Sequence, residues 1–268
     1  MTALRGPQSE IADIARQARE LLGLVRESRW PGFEPAAPRS APKPPEVPVR
    51  KTAGPTRPTA APTPALREEP CPWSSLEEIT LAVSTCTKCP LHATRTQTVP
   101  GEGSATARLL FVGEAPGAEE DRLGRPFVGA AGQLLDKMIG AMGLARDRVF
   151  IANVLKCRPP GNRDPLEHEV AACIPYLRGQ IALIKPEVIC SLGRHASHAL
   201  LERKDSLGKL RGRFFEYRGT PLMPTFHPSY LLRTPADKNS AWKDLQQVMK
   251  RLGLPLPEQH PPTEENNR

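Results

Sequence analysis

The sequence predicts an α/β fold: a three-layer αβα sandwich around a four-stranded parallel sheet. Two observations carry this. Short apolar runs of strand length alternate with helix-length amphipathic stretches from about residue 72 onward, the pattern of a parallel sheet covered on both faces. Polar residues then gather just after the apolar runs, and open parallel sheets bind ligands beyond the carboxyl ends of their strands.

Each element has its own signal. Residues 9–29, "SEIADIARQARELLGLVRESR", form an amphipathic helix with Ser9 as candidate N-cap and Ile11, Ile14, Ala15, Ala18, Leu21, Leu22 and Val25 on one face. This N-terminal unit, residues 1–30, either packs on the main domain or docks a protein partner. Residues 31–71 form a Pro/Ala-rich disordered linker. Twelve prolines fall within 31–70, giving an extended tether that cannot bury a core. The folded domain is expected over 72–253. Ser75 and Glu78 make a capping box for a helix that ends near Cys86. Strand 108–113 follows, then helix 129–144, strand 149–156 and helix 165–184, with a kink or break expected at Pro175. Strand 187–193 precedes another helix. Residues 212–227 read as a hairpin entering the fourth parallel strand, and helix 236–253 closes the domain. Residues 254–268 read as a frayed tail.

The 268 residues include 31 prolines, 37 Lys and Arg against 29 Asp and Glu, and six cysteines. A net charge of +8 suits a partner with a polyanionic surface, although a merely soluble basic protein has the same composition. No apolar run is long enough to span a bilayer, and the first residues lack the layout of a signal peptide. A cytoplasmic monomer is therefore expected. Its cysteines would be reduced, which weighs against disulfides and toward metal ligation.

Four cysteines group together. Cys86 and Cys89 form a C-x-x-C pair, Cys157 follows the second strand, and Cys173 lies in the next helix. Four thiolates suit zinc and a [4Fe–4S] cluster equally well, and spacing does not separate the two. The first pair could also be a redox dithiol. Cys71 falls in the tether, and Cys190, in an apolar strand, reads as a small core residue.

The strand ends supply the other candidates. The first strand ends at Gly113-Glu114-Ala115, the second carries Asn153, and the fourth runs into His227. Glu114, Asn153 and His227 can converge at one edge of the sheet. Arg158, Arg163, Arg211, Arg213 and Arg233, with Lys156, fall in loops near that edge, where a phosphate backbone is the natural partner.

Three segments, "GEAPGAEEDRLGRPFVGAAGQLL", "NVLKCRPPGNR" and "PTFHPSYLLR", together with the four cysteines in order, resemble the family-four, iron–sulfur uracil-DNA glycosylases. The resemblance covers about residues 76–250. It implies a uracil-DNA glycosylase-like fold and a [4Fe–4S] cluster on Cys86, Cys89, Cys157 and Cys173. It implies a substrate of uracil-containing DNA, with the uracil flipped into a pocket and its N-glycosidic bond hydrolysed. By family position Phe127 stacks on the base, Ala115 lines the pocket, and Glu120 crowds C5 against a methyl group. Asn153 would match uracil O4 and N3–H. His227 would donate to O2 as charge leaves on the base, and Glu114 would stabilise the sugar cation and position water. Family four lacks the water-activating Asp that better-known members carry at the position of Ala115, so Glu114, or second Asn153, is expected to orient the water. Leu231, in an exposed turn, is the expected wedge, and Arg233, Arg158 and Arg163 are expected on phosphates. Two other readings compete: a relative that bonds covalently to the abasic sugar through a histidine, for which His168 is the only candidate, and a non-catalytic iron–sulfur or zinc DNA-binding protein.

Overall fold

The computed structural model describes residues 71–256. The expected N-terminal helix, the tether up to residue 70 and the tail from 257 lie outside the described residues. The first elements of the domain are α1 (Leu76–Ser84), β1 (Glu102–Gly103), β2 (Leu109–Gly113), α2 (Ala118–Leu123), α3 (Ala130–Ala141), β3 (Phe150–Asn153) and α4 (Glu167–Ile184). After them come β4 (Val188–Leu192), α5 (Arg194–Leu201), α6 (Leu207–Leu210), β5 (Phe215–Tyr217), β6 (Thr220–Thr225), α7 (Pro228–Arg233) and α8 (Lys238–Arg251).

The strands form one sheet in the order β1-β3-β2-β4-β6-β5. The four inner strands are parallel, as the sequence predicts. Two short antiparallel strands, β1 on β3 and β5 on β6, extend its edges. Alternation along the inner strands separates the two faces. Leu109, Phe111, Ile151, Cys190 and Met223 pack toward Leu135 and Ile139 of α3 and Leu245 and Val248 of α8. Leu110, Val112, Ala152, Ile189 and Leu222 pack toward Leu177 and Ile181 of α4 and Ala196 and Leu200 of α5. Cys190 is a buried core residue, as expected.

Two local expectations are corrected. Ser75 caps α1 through Glu78 N at 3.2 Å, but the Glu78 carboxylate returns to Ser74 N and Oγ rather than to Ser75. Pro175 does not break α4, which runs as one helix from Glu167 to Ile184. Buried residues on both sides of the proline, Cys173, Ile174, Tyr176 and Leu177, hold the helix against the rest of the domain and outweigh the lost hydrogen bond. No helix among the described residues is long and apolar enough to cross a membrane.

Numbered along the chain, the parallel strands lie in the spatial order second-first-third-fourth. The order reverses between β2 and β4, and the crevice beyond their carboxyl ends is where such a sheet binds ligands. The loop bordering this crevice is pinned from both sides. Arg146 donates to the carbonyls of Pro126 and Phe127 and pairs with Glu102 of β1 at 2.8 Å. Phe127 itself has φ 49°, a conformation that costs an aromatic residue about 1–3 kcal/mol and persists only where the surroundings impose it. Gly132 is part of that imposition: a Cβ there would overlap the Phe127 carbonyl and lie 2.9 Å from its Cα. Gly132→Ala is expected to lower stability by about 2–3 kcal/mol in urea unfolding; an unchanged midpoint would show that the loop can move aside.

Candidate active site and cysteine pocket

An open cleft of about 620 Å³ lies beyond the strand ends, and Glu114, Asn153, Phe127 and His227 all line it. The sheet register explains the convergence. Gly113 pairs with Asn153, so the residue after β2 emerges beside the last residue of β3. His227 follows β6 and caps α7.

Asn153 is buried, and its Oδ1 has no hydrogen-bond partner. A buried amide oxygen without a donor costs about 1–3 kcal/mol, so its place on the wall of a ligand-sized cleft points to a donor brought by a ligand. The Phe127 ring is buried, with its centroid 5.6 Å from that of His227. Gly113 makes room for both: a Cβ there would overlap Asn153 Oδ1 and lie 2.6 Å from Phe127 Cζ.

His227 is set up as a neutral donor. Ser229 N donates to its Nδ1 at 3.1 Å, and Ser229 Oγ lies 2.7 Å from the same nitrogen. With Nδ1 accepting, a neutral ring carries its proton on Nε2. Burial, aided by the Arg233 charge, pushes its pKa down to about 4, with Glu120 opposing. Glu114 moves the other way. Burial first, then the Asp164 carboxylate, push it up to about 7, opposed by Arg194.

Glu120 also lines the cleft, with its carboxylate engaged by backbone: Oε1 accepts from Val128 N and Gly129 N at 2.9 Å each, and Oε2 from Gly117 N at 3.1 Å. It buckles the loop after β2 to the loop bearing Phe127. Ala115 and Pro116 form the neighbouring wall.

The expected phosphate ligands separate into two groups. Arg163 is committed to the buried Glu169, which it grips at 2.9 and 2.6 Å. Arg211 is likewise committed to the buried Asp244, and Lys156 is itself buried. Each answers a buried polar group or charge, so Arg211 and Lys156 take structural roles, while Arg163, exposed over 39% of its side chain, still lines the cleft. Arg233 remains exposed on the cleft edge. Arg158, half-buried, touches Asn162 Oδ1 at 2.7 Å. Leu231 is also corrected. It is 1% exposed, because α7 continues through it and turns it inward, whereas Leu232 is 43% exposed. His168 sits exposed in the first turn of α4 and is not among the residues lining the cleft.

Sequence reasoning missed Asp164, Arg194 and His195, which line the same cleft. His195 Nε2 lies 3.2 Å from Asp164 Oδ2 and 4.0 Å from Glu114 Oε2. The signal was present: Arg194 and His195 follow β4 as Glu114 follows β2, and the strand-end argument extended to β4 reaches them.

The four cysteines meet in a second, small pocket beside α1, together with Arg95, Lys156 and Tyr176. Arg95 Nη1 donates to Cys157 Sγ at 3.3 Å, and Lys156 N to Cys173 Sγ at 3.2 Å. Burial pushes both thiols up, Cys173 to about 12. Lys156 Nζ bonds Asn153 O and Gln180 Oε1 at 2.9 and 2.7 Å. Cys71 lies elsewhere, its thiol against Trp73 O at 3.3 Å.

Comparison with known proteins places the chain in a family. A family model described as the uracil DNA glycosylase superfamily matches residues 100–246. The type-4 uracil-DNA glycosylase of Sulfurisphaera tokodaii is 47% identical over 183 residues, 65% of this chain and 83% of its own. That of Thermotoga maritima is 49% identical over 160 residues, 59% of this chain and 83% of its own. A type-5 uracil-DNA glycosylase of Pyrobaculum aerophilum is 33% identical over 150 residues, 50% of this chain and 66% of its own. The chain belongs to the uracil-DNA glycosylase superfamily and, within it, to the type-4 family.

The tautomer of His227 can be checked directly. In ¹⁵N spectra its ring is expected to stay neutral and protonated on Nε2 from pH 8 down to about pH 5. The sign is that of a depressed histidine: protonation, and loss of the Ser229 contact, come only as pH falls toward about 4. A midpoint near 6.5 would contradict the assignment.

Proposed function

We propose that the protein is a DNA-repair glycosylase that flips uracil out of DNA, hydrolyses its N-glycosidic bond and leaves an abasic site. The observation that carries this reading is the unpartnered Oδ1 of Asn153, buried beside Phe127 and His227. Uracil brings a donor, N3–H, next to an acceptor, O4, and the Asn153 amide offers the complementary pair. Cytosine presents an acceptor at N3 and a donor at N4 and leaves both mismatched.

The cleft suits each step. A flipped base enters against Phe127. Asn153 Oδ1 accepts from N3–H, and its amide nitrogen donates to O4. As the N1–C1′ bond breaks, negative charge grows on the base and positive charge on the sugar. His227 Nε2–H donates to O2 and stabilises the leaving anion without transferring its proton. Glu114, when ionised, faces the sugar cation and orients the attacking water, with Asn153 beside it. Glu120 holds the wall near C5 in place through its three backbone contacts and narrows the space for a methyl group. Arg233 and Arg158 contact backbone phosphates, and Leu232 takes the wedge role expected of Leu231.

The cysteine pocket fits a [4Fe–4S] cluster held by Cys86, Cys89, Cys157 and Cys173. Four cysteines lining one small pocket supply the complete thiolate set that such a cluster takes. The charges around the pocket suit a thiolate-bound group. Lys156 is a buried ammonium whose side-chain hydrogen bonds reach no carboxylate, and a buried cation needs an anion nearby. Four thiolates on a cluster supply one. When bound, the cluster ties α1 to the segment after β3. Its reduced thiolates suit a cytoplasmic setting, and a monomer acting on DNA needs no second copy to complete the cleft. The apolar face that the sequence pattern gives residues 9–29 is assigned to a protein partner.

Two experiments test the reading. Excision of uracil from an oligonucleotide in single turnover should fall about a hundredfold or more in His227→Ala, while binding to the same DNA changes much less; equal losses would make His227 a ground-state contact. Protein purified without oxygen should carry about four irons per chain, and Cys157→Ser should lose them together with thermal stability. Stoichiometric zinc instead of iron would overturn the cluster.

A further inference from the structure

We propose that Tyr230 is a stacking platform for an unpaired DNA base next to the flipped uracil, so that the cleft takes two bases of one strand. The proposal rests on the glycosylase reading and adds a second subsite to the same cleft.

The platform is fixed before any ligand arrives. Phe226 and Tyr230 are stacked, with ring centroids 5.0 Å apart and planes 20° from parallel. The Arg211 guanidinium lies over the Phe226 ring, 4.7 Å from its centroid. Carboxylates anchor both ends of this stack. The buried Asp244 holds Arg211 at 2.9 Å and accepts from Thr225 Oγ1 at 2.7 Å. Tyr230 donates its hydroxyl to Asp237 Oδ2 at 2.6 Å. The phenol is thus held at its tip and supported on one face, and a ring already ordered loses little freedom when a ligand stacks on it.

The second face is free for a ligand. Among the described residues Phe226 is the only ring stacked with Tyr230. Both rings are half-buried, and both line the cleft. A ring that serves packing alone gains most from full burial. A half-exposed ring with a pinned hydroxyl instead offers a flat apolar surface to whatever enters the cleft.

The position suits the neighbouring nucleotide. Tyr230 N donates to His227 O at 2.9 Å, so the ring stands one turn along α7 from the histidine that faces uracil O2. Three helical residues rise about 4.5 Å, and successive nucleotides of one strand are about 3.4 Å apart along a duplex axis. Arg233, exposed on the cleft edge, comes three residues after Tyr230 and so shares its face of α7. An aromatic face beside a cation is the pairing that binds single-stranded nucleic acid. Flipping the uracil removes a stacking partner from its neighbour, and Tyr230 replaces it. Stacking needs only a π-face, so the subsite takes any of the four bases.

The full chain should be titrated, by fluorescence anisotropy, into a single-stranded oligonucleotide with one central 2′-fluoro-2′-deoxyuridine, which resists excision. Replacing the nucleotide on one side of the uridine with an abasic tetrahydrofuran spacer should weaken wild-type binding about tenfold; the same change on the other side should not. Tyr230→Leu should lose a similar factor on the intact oligonucleotide and become insensitive to the spacer. Tyr230→Phe, which keeps the ring without the Asp237 bond, should stay sensitive. Equal wild-type affinity for the intact and both spacer oligonucleotides overturns the proposal, and so does a Tyr230→Leu protein as spacer-sensitive as the wild type. A second arm needs no variant. With 5-iodocytosine as the neighbouring base, irradiation of the wild-type complex should give an adduct that peptide mass spectrometry maps to Tyr230; adducts confined to other residues overturn the proposal. If the wild type excises no uracil from the unmodified oligonucleotide, the glycosylase reading fails, and the crosslink still decides whether Tyr230 takes a base.

Discussion

The site depends first on an atom that is missing. Gly113 ends β2 with no Cβ, and that vacancy is filled by Asn153 Oδ1 from the neighbouring strand and the edge of the Phe127 ring. Any side chain at 113 would push apart the Asn153 amide and the Phe127 ring, the two groups proposed to read and to stack on the base. The constraint propagates. For Phe127 to reach that vacancy its backbone adopts φ 49°, and it can do so only because Gly132 lets α3 start directly under the Phe127 carbonyl. Arg146 then holds the loop by its carbonyls and Glu120 by its amides. The strain at one aromatic residue is thus imposed from four directions, which is what preorganisation requires.

Lys156 joins this site to the cysteine pocket. Its side chain supports the Asn153 carbonyl, its amide donates to Cys173 Sγ, and its carbonyl accepts from Val99 N at 2.8 Å. The segment Asn153-Val154-Leu155-Lys156-Cys157 is therefore one strut with the unpartnered cleft amide at one end and a pocket cysteine at the other. Leu155 N bonds Glu114 O at 3.0 Å, and Leu155 packs with Cys157, Cys173 and α1. Fixing the cysteines fixes the strut, and fixing the strut sets both Asn153 and the backbone of Glu114.

The sequence was most legible where burial dictated it. The four parallel strands, their helices and the grouping of Cys86, Cys89, Cys157 and Cys173 follow from continuous apolar runs and ligand types. Glu114, Asn153 and His227 were legible because strand ends converge in any open parallel sheet. The misses have a common cause: they depend on partners remote in sequence. Nothing near Arg163 announces that Glu169 will be buried one helical turn into α4, and nothing near Arg211 announces Asp244 thirty-three residues on. Leu231 and Leu232 differ by one position, and only the continuation of "PSYLLR" as a helix decides which of them turns inward. β1 is two residues long, too short for any pattern, yet its Glu102 pairs with Arg125 and Arg146 and so anchors the loop that carries Phe127.

The fate of the arginines changes what the net charge of +8 means. A basic composition suggests a basic surface, but several of these charges exist to satisfy buried acids. Glu169 and Asp244 are each 1% exposed, and a buried carboxylate stripped of its partner costs about 3–5 kcal/mol. Arg163 and Arg211 are therefore held to the fold more strongly than an exposed phosphate contact would hold them, since surface pairs contribute only about 0–1 kcal/mol. What faces the cleft is a sparse set: Arg233 at its edge, with Arg163 and Arg194 already paired to Glu169 and Asp164. Sparse contacts fit the proposed site, whose selectivity would reside in the base pocket: phosphates position the strand without reading it, and the reading would fall to Asn153, the one buried side-chain amide among the described residues whose oxygen has no partner.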